Sequence, residues 1–170
     1  MGSTKFKKKY FSTKELVYLA VLIALSYVGS IIKVFESIAF DSMPAFFAAL
    51  VLGPVAGSIV GILGHLFTAA TSGFPYSLPV HMVVAFQMGI ICFLFGYIGK
   101  NINIYLATII AILLNGVAAT YISVYAMQLT GLIPVAMDMF KILVLPLTIA
   151  SSANVVFSVI LYKTIGHKIK

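Results

Sequence analysis

The sequence predicts an all-α integral membrane protein, a compact bundle of six transmembrane helices, and three observations carry that reading. Apolar residues make up 62% of the chain and charged residues 9%, with a mean hydropathy of +1.13. A soluble surface carries about 25% charged residues, so this surface is built for lipid. The apolar residues come in runs, and a helix needs about 20 residues to cross the roughly 30 Å hydrocarbon layer; 170 residues hold about six such runs. Finally, the charges sit at the edges of the runs. Lys5, Lys7, Lys8, Lys9 and Lys14 precede the first, and Lys163, Lys168 and Lys170 follow the last. Basic flanks stay cytoplasmic, and both ends inside requires an even number of crossings.

The spans follow in order. The first, 15–32, is an uninterrupted apolar stretch with no small-residue cleavage site after it, so it reads as a span rather than a secretory signal. A loop holding Glu36 and Asp41, two of the four acidic residues, leads to an apolar stretch too long for one helix. Gly53-Pro54 breaks it, because proline disfavours a helical residue before it. The halves read as helices 44–53, short and embedded against its neighbours, and 55–70, where Gly57, Gly61 and Gly64 let other backbones approach closely. TSGFPYSLP over 71–79 is a turn-rich loop. Spans four and five cover 80–98 and 104–128. The end is less regular: 134–146 is expected as a surface helix, with the last span at 147–163. The alternative is one helix from near Asp138, bent at Pro146. On this layout Lys100 falls inside, with nine of eleven lysines, while Lys33, Lys141, Glu36, Asp41 and Asp138 fall outside.

The net charge of +7 is accounted for by these flanks and their contact with anionic lipid headgroups, so no nucleic-acid partner is implied. No HExxH, Walker A or GxSxG pattern is present, and a lone Cys92 inside an apolar run reads as packing. No metal site, cofactor or catalytic residue is expected. Without a nucleotide site the chain cannot couple ATP itself, so active transport would draw its energy from a partner.

What remains is a polar set near the outer ends of the spans. Asp41, His65, Tyr76 and His81 flank loops one and three, while Gln87, Asn115 and Asn154 lie within spans four, five and six. Polar side chains are expensive in lipid and face a bundle interior or wet cavity; converging, they would orient a ligand in an apolar pocket. Each has a plainer reading. His65 can bond a carbonyl of a neighbouring helix, His81 can sit at the interface after Pro79, and Asn115 beside Gly116 can hold two helices together. Tyr18, Tyr27, Tyr97, Tyr105 and Tyr162 read as an aromatic belt. Phe74 and Tyr76 instead sit in a loop with no lipid to anchor and read as a lid.

Several stretches resemble one family. FDSMPAFFAALVLGPVAGSIVG looks like the loop-one to helix-three region of the substrate-binding S components of energy-coupling factor (ECF) vitamin transporters. Ala20 and Ala24 are similar to the AxxxA motif by which those proteins dock on the transmembrane coupling subunit. PVAMDMFKILVLPLTIASSANVVFSVILYK resembles the family's last loop and sixth helix. The resemblance implies an outward pocket closed by loops one and three, contacts from helices four to six, and partnership with the coupling subunit and two ATPase subunits. Asn154 matches an asparagine that precedes a lysine by three positions in riboflavin-binding members; Phe157 stands there instead, which argues against riboflavin. GHLFTAATSGFPYSLPVHM looks closest to S components for cobalamin precursors such as α-ribazole.

The expectation is therefore a cell-membrane binding subunit for a vitamin or precursor, with Asp41, His65, Phe74, Tyr76, His81, Gln87, Asn115 and Asn154 at the ligand. An S component for another vitamin is the near alternative. A membrane enzyme should show clustered carboxylates or a metal set, and a channel or exporter a polar stripe or internal repeat; neither pattern is present.

Overall fold

A computed structural model describes residues 11–31, 33–35, 38–39 and 41–169. Lys5, Lys7, Lys8, Lys9, Glu36 and Lys170 lie outside the described residues, as does the side chain of Lys33. Six helices build the fold. They are α1 (Thr13–Ile31), α2 (Met43–Val51), α3 (Pro54–Thr71), α4 (Leu78–Asn101), α5 (Ile104–Leu129) and α6 (Ala136–Ile169). All except α2 are long and apolar enough to cross a membrane. At 1.5 Å per residue α2 reaches only ~14 Å, and its residues Pro44 to Val51 are all buried.

Local chemistry sets the ends. Ser12 and Glu15 form a reciprocal cap, with the Ser12 amide on Glu15 Oε2 at 2.8 Å and the Glu15 amide on Ser12 Oγ at 3.3 Å. This capping box starts α1 two residues before the apolar run. Gly53 has φ 123°, a conformation closed to most side chains, which lets α2 end and Pro54 begin α3 at once. Gly57 then packs on Ala49 of α2, so closely that a methyl group there would collide with it. Asn103 caps α5, accepting from the Tyr105 and Leu106 amides at 2.8 and 3.1 Å.

Two features depart from the expected layout. A short antiparallel ribbon, β1 (Lys33–Phe35) with β2 (Ile38–Ala39), stands where a plain loop was expected. The surface helix expected over 134–146 and the separate span at 147–163 are replaced by one continuous helix, α6, running through Pro146. Pro146 removes the bond its amide would have made to the Ile142 carbonyl, and the helix continues through it, with Thr148 Oγ1 donating to the Val144 carbonyl at 2.6 Å and Ser152 Oγ to the Thr148 carbonyl at 2.7 Å. Gln128 caps the start of α6, accepting from the Ala136 amide at 2.8 Å.

The bundle has two unlike ends. At one, Lys14 reaches the Ile169 carbonyl at 3.5 Å, Lys100 the Val51 carbonyl at 3.4 Å and Lys163 the Tyr105 hydroxyl at 2.9 Å. The first and last helices thus begin and end on the same face. The β1–β2 ribbon and the connections 72–77 and 130–135 belong to the other. Two apolar clusters divide the interior. The larger surrounds α2, where Phe46 and Phe95 meet edge to face at 5.2 Å beside Leu50, Val60 and Cys92. The smaller joins Val80, Val124, Met127 and Ala136 to Tyr76, Phe140 and Leu143 at the loop end.

Candidate binding cavity

Between the two clusters lies a cavity of about 170 Å³. Its apolar wall includes Ala45, Val60, Val84, Met88, Val124, Met127 and Leu147, and its polar wall is drawn from four helices and two loops. Asp41, His65, Tyr76, His81, Asn115 and Asn154 all face it. A dry 150 Å³ cavity accepts benzene, so this space holds a small ring system.

Asp41 stands two residues before α2. Burial raises its carboxyl from 3.8 to about 6, opposed by the Asp41 and Ser42 amides and the Thr68 hydroxyl. That hydroxyl makes no well-formed hydrogen bond, so it favours the charge only weakly. The carboxyl remains mostly ionised at neutral pH.

His65 and His81 form a directed pair. A carbonyl only accepts, so His81 Nε2–H donates to the Pro75 carbonyl. His81 Nδ1 must then accept, and His65 Nε2–H donates to it across 3.1 Å. Both rings are neutral in this arrangement, and the acceptor they leave is His65 Nδ1. The same bonds pin loop 71–77. Gly73, Phe74, Tyr76 and Ser77 all adopt positive φ, between 50° and 78°, and three of these are not glycine. Such conformations cost of order 1–3 kcal/mol each and persist only where surroundings enforce them. Phe74 does not reach the cavity wall; its ring meets His81 edge-on at 5.9 Å.

The asparagines do different work. Asn154 is fully buried and accepts from the Met43 amide at 2.9 Å while donating to the Ala150 carbonyl at 2.9 Å. It caps α2 from α6 and so sets Asp41 in place. Asn115 donates to Ser151 Oγ at 3.1 Å. It lies in a π-helical turn, Leu114–Ala118, inside α5. Such turns recur at functional sites because they re-aim side chains. Gln87 is off the wall and donates to Ser123 Oγ at 3.3 Å.

Ser42, Thr120, Ser123 and Ser151 also line the cavity and were not anticipated. Their spacing held the signal: Asn115, Ala119 and Ser123 recur every four residues, as Ser151 and Asn154 recur at three, which puts each set on one helix face. Outside the cavity, Ala20 and Ala24 lie on the exposed side of α1 with Val17, Val21 and Val28. His65 and His81 gain no third metal ligand among the described residues.

A polytopic bundle with a ring-sized cavity beneath a pinned loop is a membrane-embedded binding protein. Residues 14–166 match the family model for the ECF transporter substrate-specific component. The chain belongs to that family, a family of transporter binding subunits rather than of enzymes. It is thus the subunit that takes a small-molecule substrate for an ECF module. No curated protein and no solved structure matches the chain.

Proposed function

We propose that this subunit captures a vitamin or vitamin precursor, best α-ribazole or a related cobalamin precursor, at the outer side of the cell membrane. The coupling subunit and two ATPase subunits then power its release inward. Both termini are cytoplasmic in this reading: the start of α1 and the end of α6 meet on the lysine face, and lysine-rich faces stay inside. The cavity then opens outward under loop 71–77. Ala20 and Ala24, one turn apart on the outer side of α1, form the surface that docks on the coupling subunit.

The observation that carries the reading is the cavity wall itself, apolar surface interrupted by Asp41, His65, Asn115 and Ser151. A benzimidazole riboside offers the matching halves, a flat apolar base and a hydroxyl-bearing sugar. The base fills a space of about 170 Å³, and the sugar extends toward loop 71–77, where Tyr76 closes over it. Mass spectrometry of small molecules released from the purified protein tests this. A benzimidazole compound is the expected result; a flavin, or an aliphatic compound, would sink it.

A further inference from the structure

All eleven basic residues of the chain are lysines, and among the described residues none lines the cavity. Lys14, Lys100 and Lys163 are spent at the opposite end of the bundle. Lys141 is exposed and paired with Asp138 at 3.3 Å. The ionisable groups on the described wall are Asp41, His65, His81 and Tyr76. None of them offers an anion a counter-charge in this arrangement. Both nitrogens of His81 are committed, one to Pro75 and one to His65, so the pair presents an acceptor, His65 Nδ1. Asp41 presents two more acceptor oxygens and a negative charge. Asn154 spends one amide hydrogen on Ala150 and Asn115 one on Ser151, and the donors that remain, with the wall hydroxyls of Ser42, Ser123 and Ser151, are neutral.

We infer that the cavity selects its ligand by charge: it takes a neutral or cationic ring compound that donates hydrogen bonds, and rejects the same compound once it carries a phosphate or carboxylate. The inference rests on the binding-subunit reading above and narrows its substrate class. An anion in this space would lose its hydration without meeting a counter-charge, which is costly even where polar groups are near. It would also lie within one cavity width of Asp41. Like charges about 6 Å apart at an effective dielectric of ~20 disfavour binding on the order of 100-fold. A donor-bearing neutral ligand instead satisfies His65 Nδ1 and the Asp41 oxygens directly.

Calorimetry on the full chain in lipid nanodiscs tests the rule with two probes that differ by one group, α-ribazole and α-ribazole 5′-phosphate. The riboside should bind, and the phosphate should bind on the order of 100-fold more weakly. Asp41→Asn should bring the two within about tenfold, since the repulsive term is then gone; a melting temperature no lower than wild type shows the variant folded. Equal or tighter binding of the phosphate by the wild-type protein overturns the inference and leaves the binding-subunit reading standing. If neither probe binds, the α-ribazole reading falls, and the charge rule is decided on the small molecules released from purified protein. A neutral or cationic compound supports it, and a phosphate- or carboxylate-bearing one overturns it. An extract without any bound compound counts against both.

Discussion

The lysine end and the loop end of this bundle are built on opposite principles. Around α2 the packing is dry and complete: Phe46, Leu50, Cys92 and Phe95 are no more than 1% exposed. There glycine and alanine let backbones touch, as Gly96 does against Ala49 and Pro54. Toward the loops the same helices surround a void. Thr68, Ser77 and Gln87 keep buried oxygens without partners, and three non-glycine residues hold left-handed backbone. Unsatisfied polar groups and strained backbone concentrate at functional sites because something else completes them. One end of the molecule is filled by its own side chains, and the other keeps a space, unpaired polar groups and strained backbone.

The comparison breaks most severely if the two ends fail to separate capture from delivery. Ala20 and Ala24 sit on the exposed side of α1, on either side of its midpoint. Replacing both with tryptophan blocks close helix approach, and the expected outcome is full ligand binding with energised uptake reduced to background. Calorimetry and cellular uptake at matched expression measure the two; uptake at the wild-type rate would remove the docking role. Next in size is Phe46→Ala. It empties a fully buried site and should cost about 3–5 kcal/mol of stability, read by denaturant or thermal unfolding. The affinity of the surviving folded protein should stay within about twofold, well under 1.4 kcal/mol. A large change in affinity would mean the two ends are energetically one.

Much of the filled end was legible in the sequence, and less of the other. Gly53-Pro54 announced its break because a φ of 123° and a proline leave the chain few options. The convergence of Asp41, His65, Tyr76, His81, Asn115 and Asn154 was legible because polar side chains in an apolar helix have few places to go. Pro146 was ambiguous for a physical reason: a proline ends a helix or merely interrupts one bond, and here the helix runs on through it. The bonds of Asn154 to Met43 and of Gln87 to Ser123 were hidden because those partners are distant in sequence and meet only in the fold. Phe74 and Tyr76 looked equivalent as two aromatics in one loop. Positive φ on both sides of Pro75 turns one ring toward the cavity and the other onto His81.

That difference gives the third expectation. Tyr76 lines the cavity, so Tyr76→Ala removes a direct stacking surface and should cost on the order of 1–3 kcal/mol, the range for base–aromatic stacking. The loss should be about 5- to 150-fold and appear mainly in the off-rate, since a lid slows escape more than it guides approach. Phe74→Ala removes only a ring against His81 and should weaken binding less while lowering the melting temperature. Equal losses of affinity from the two would show that loop 71–77 acts as one unit. Unchanged affinity in both, with a lowered melting temperature, would make the loop a plug rather than a lid.

The smallest expected effect concerns Asp41, and it runs in opposite directions for stability and for binding. Its carboxyl is raised from 3.8 to about 6 by burial, so the folded protein holds this proton more tightly than the unfolded chain. The stabilisation is present below about 4 and is lost as pH rises through 6. At neutral pH the ionised group therefore strains the empty protein, by at most about 3 kcal/mol at 1.36 kcal/mol per unit. Asp41→Asn should accordingly raise the melting temperature at pH 7.5 by a few degrees and flatten its fall between pH 5 and 7. Binding moves the other way. A ligand that donates to the carboxylate prefers it ionised, so wild-type affinity should fall as pH drops below 6, approaching tenfold per unit. His65, His81 and Tyr76 share the wall in both proteins, so the difference between wild type and Asp41→Asn isolates the carboxyl. A variant that gains stability at neutral pH yet binds about tenfold more weakly would show that the loop end gives up stability to hold its ligand. A variant that loses both would return Asp41 to a structural role in starting α2.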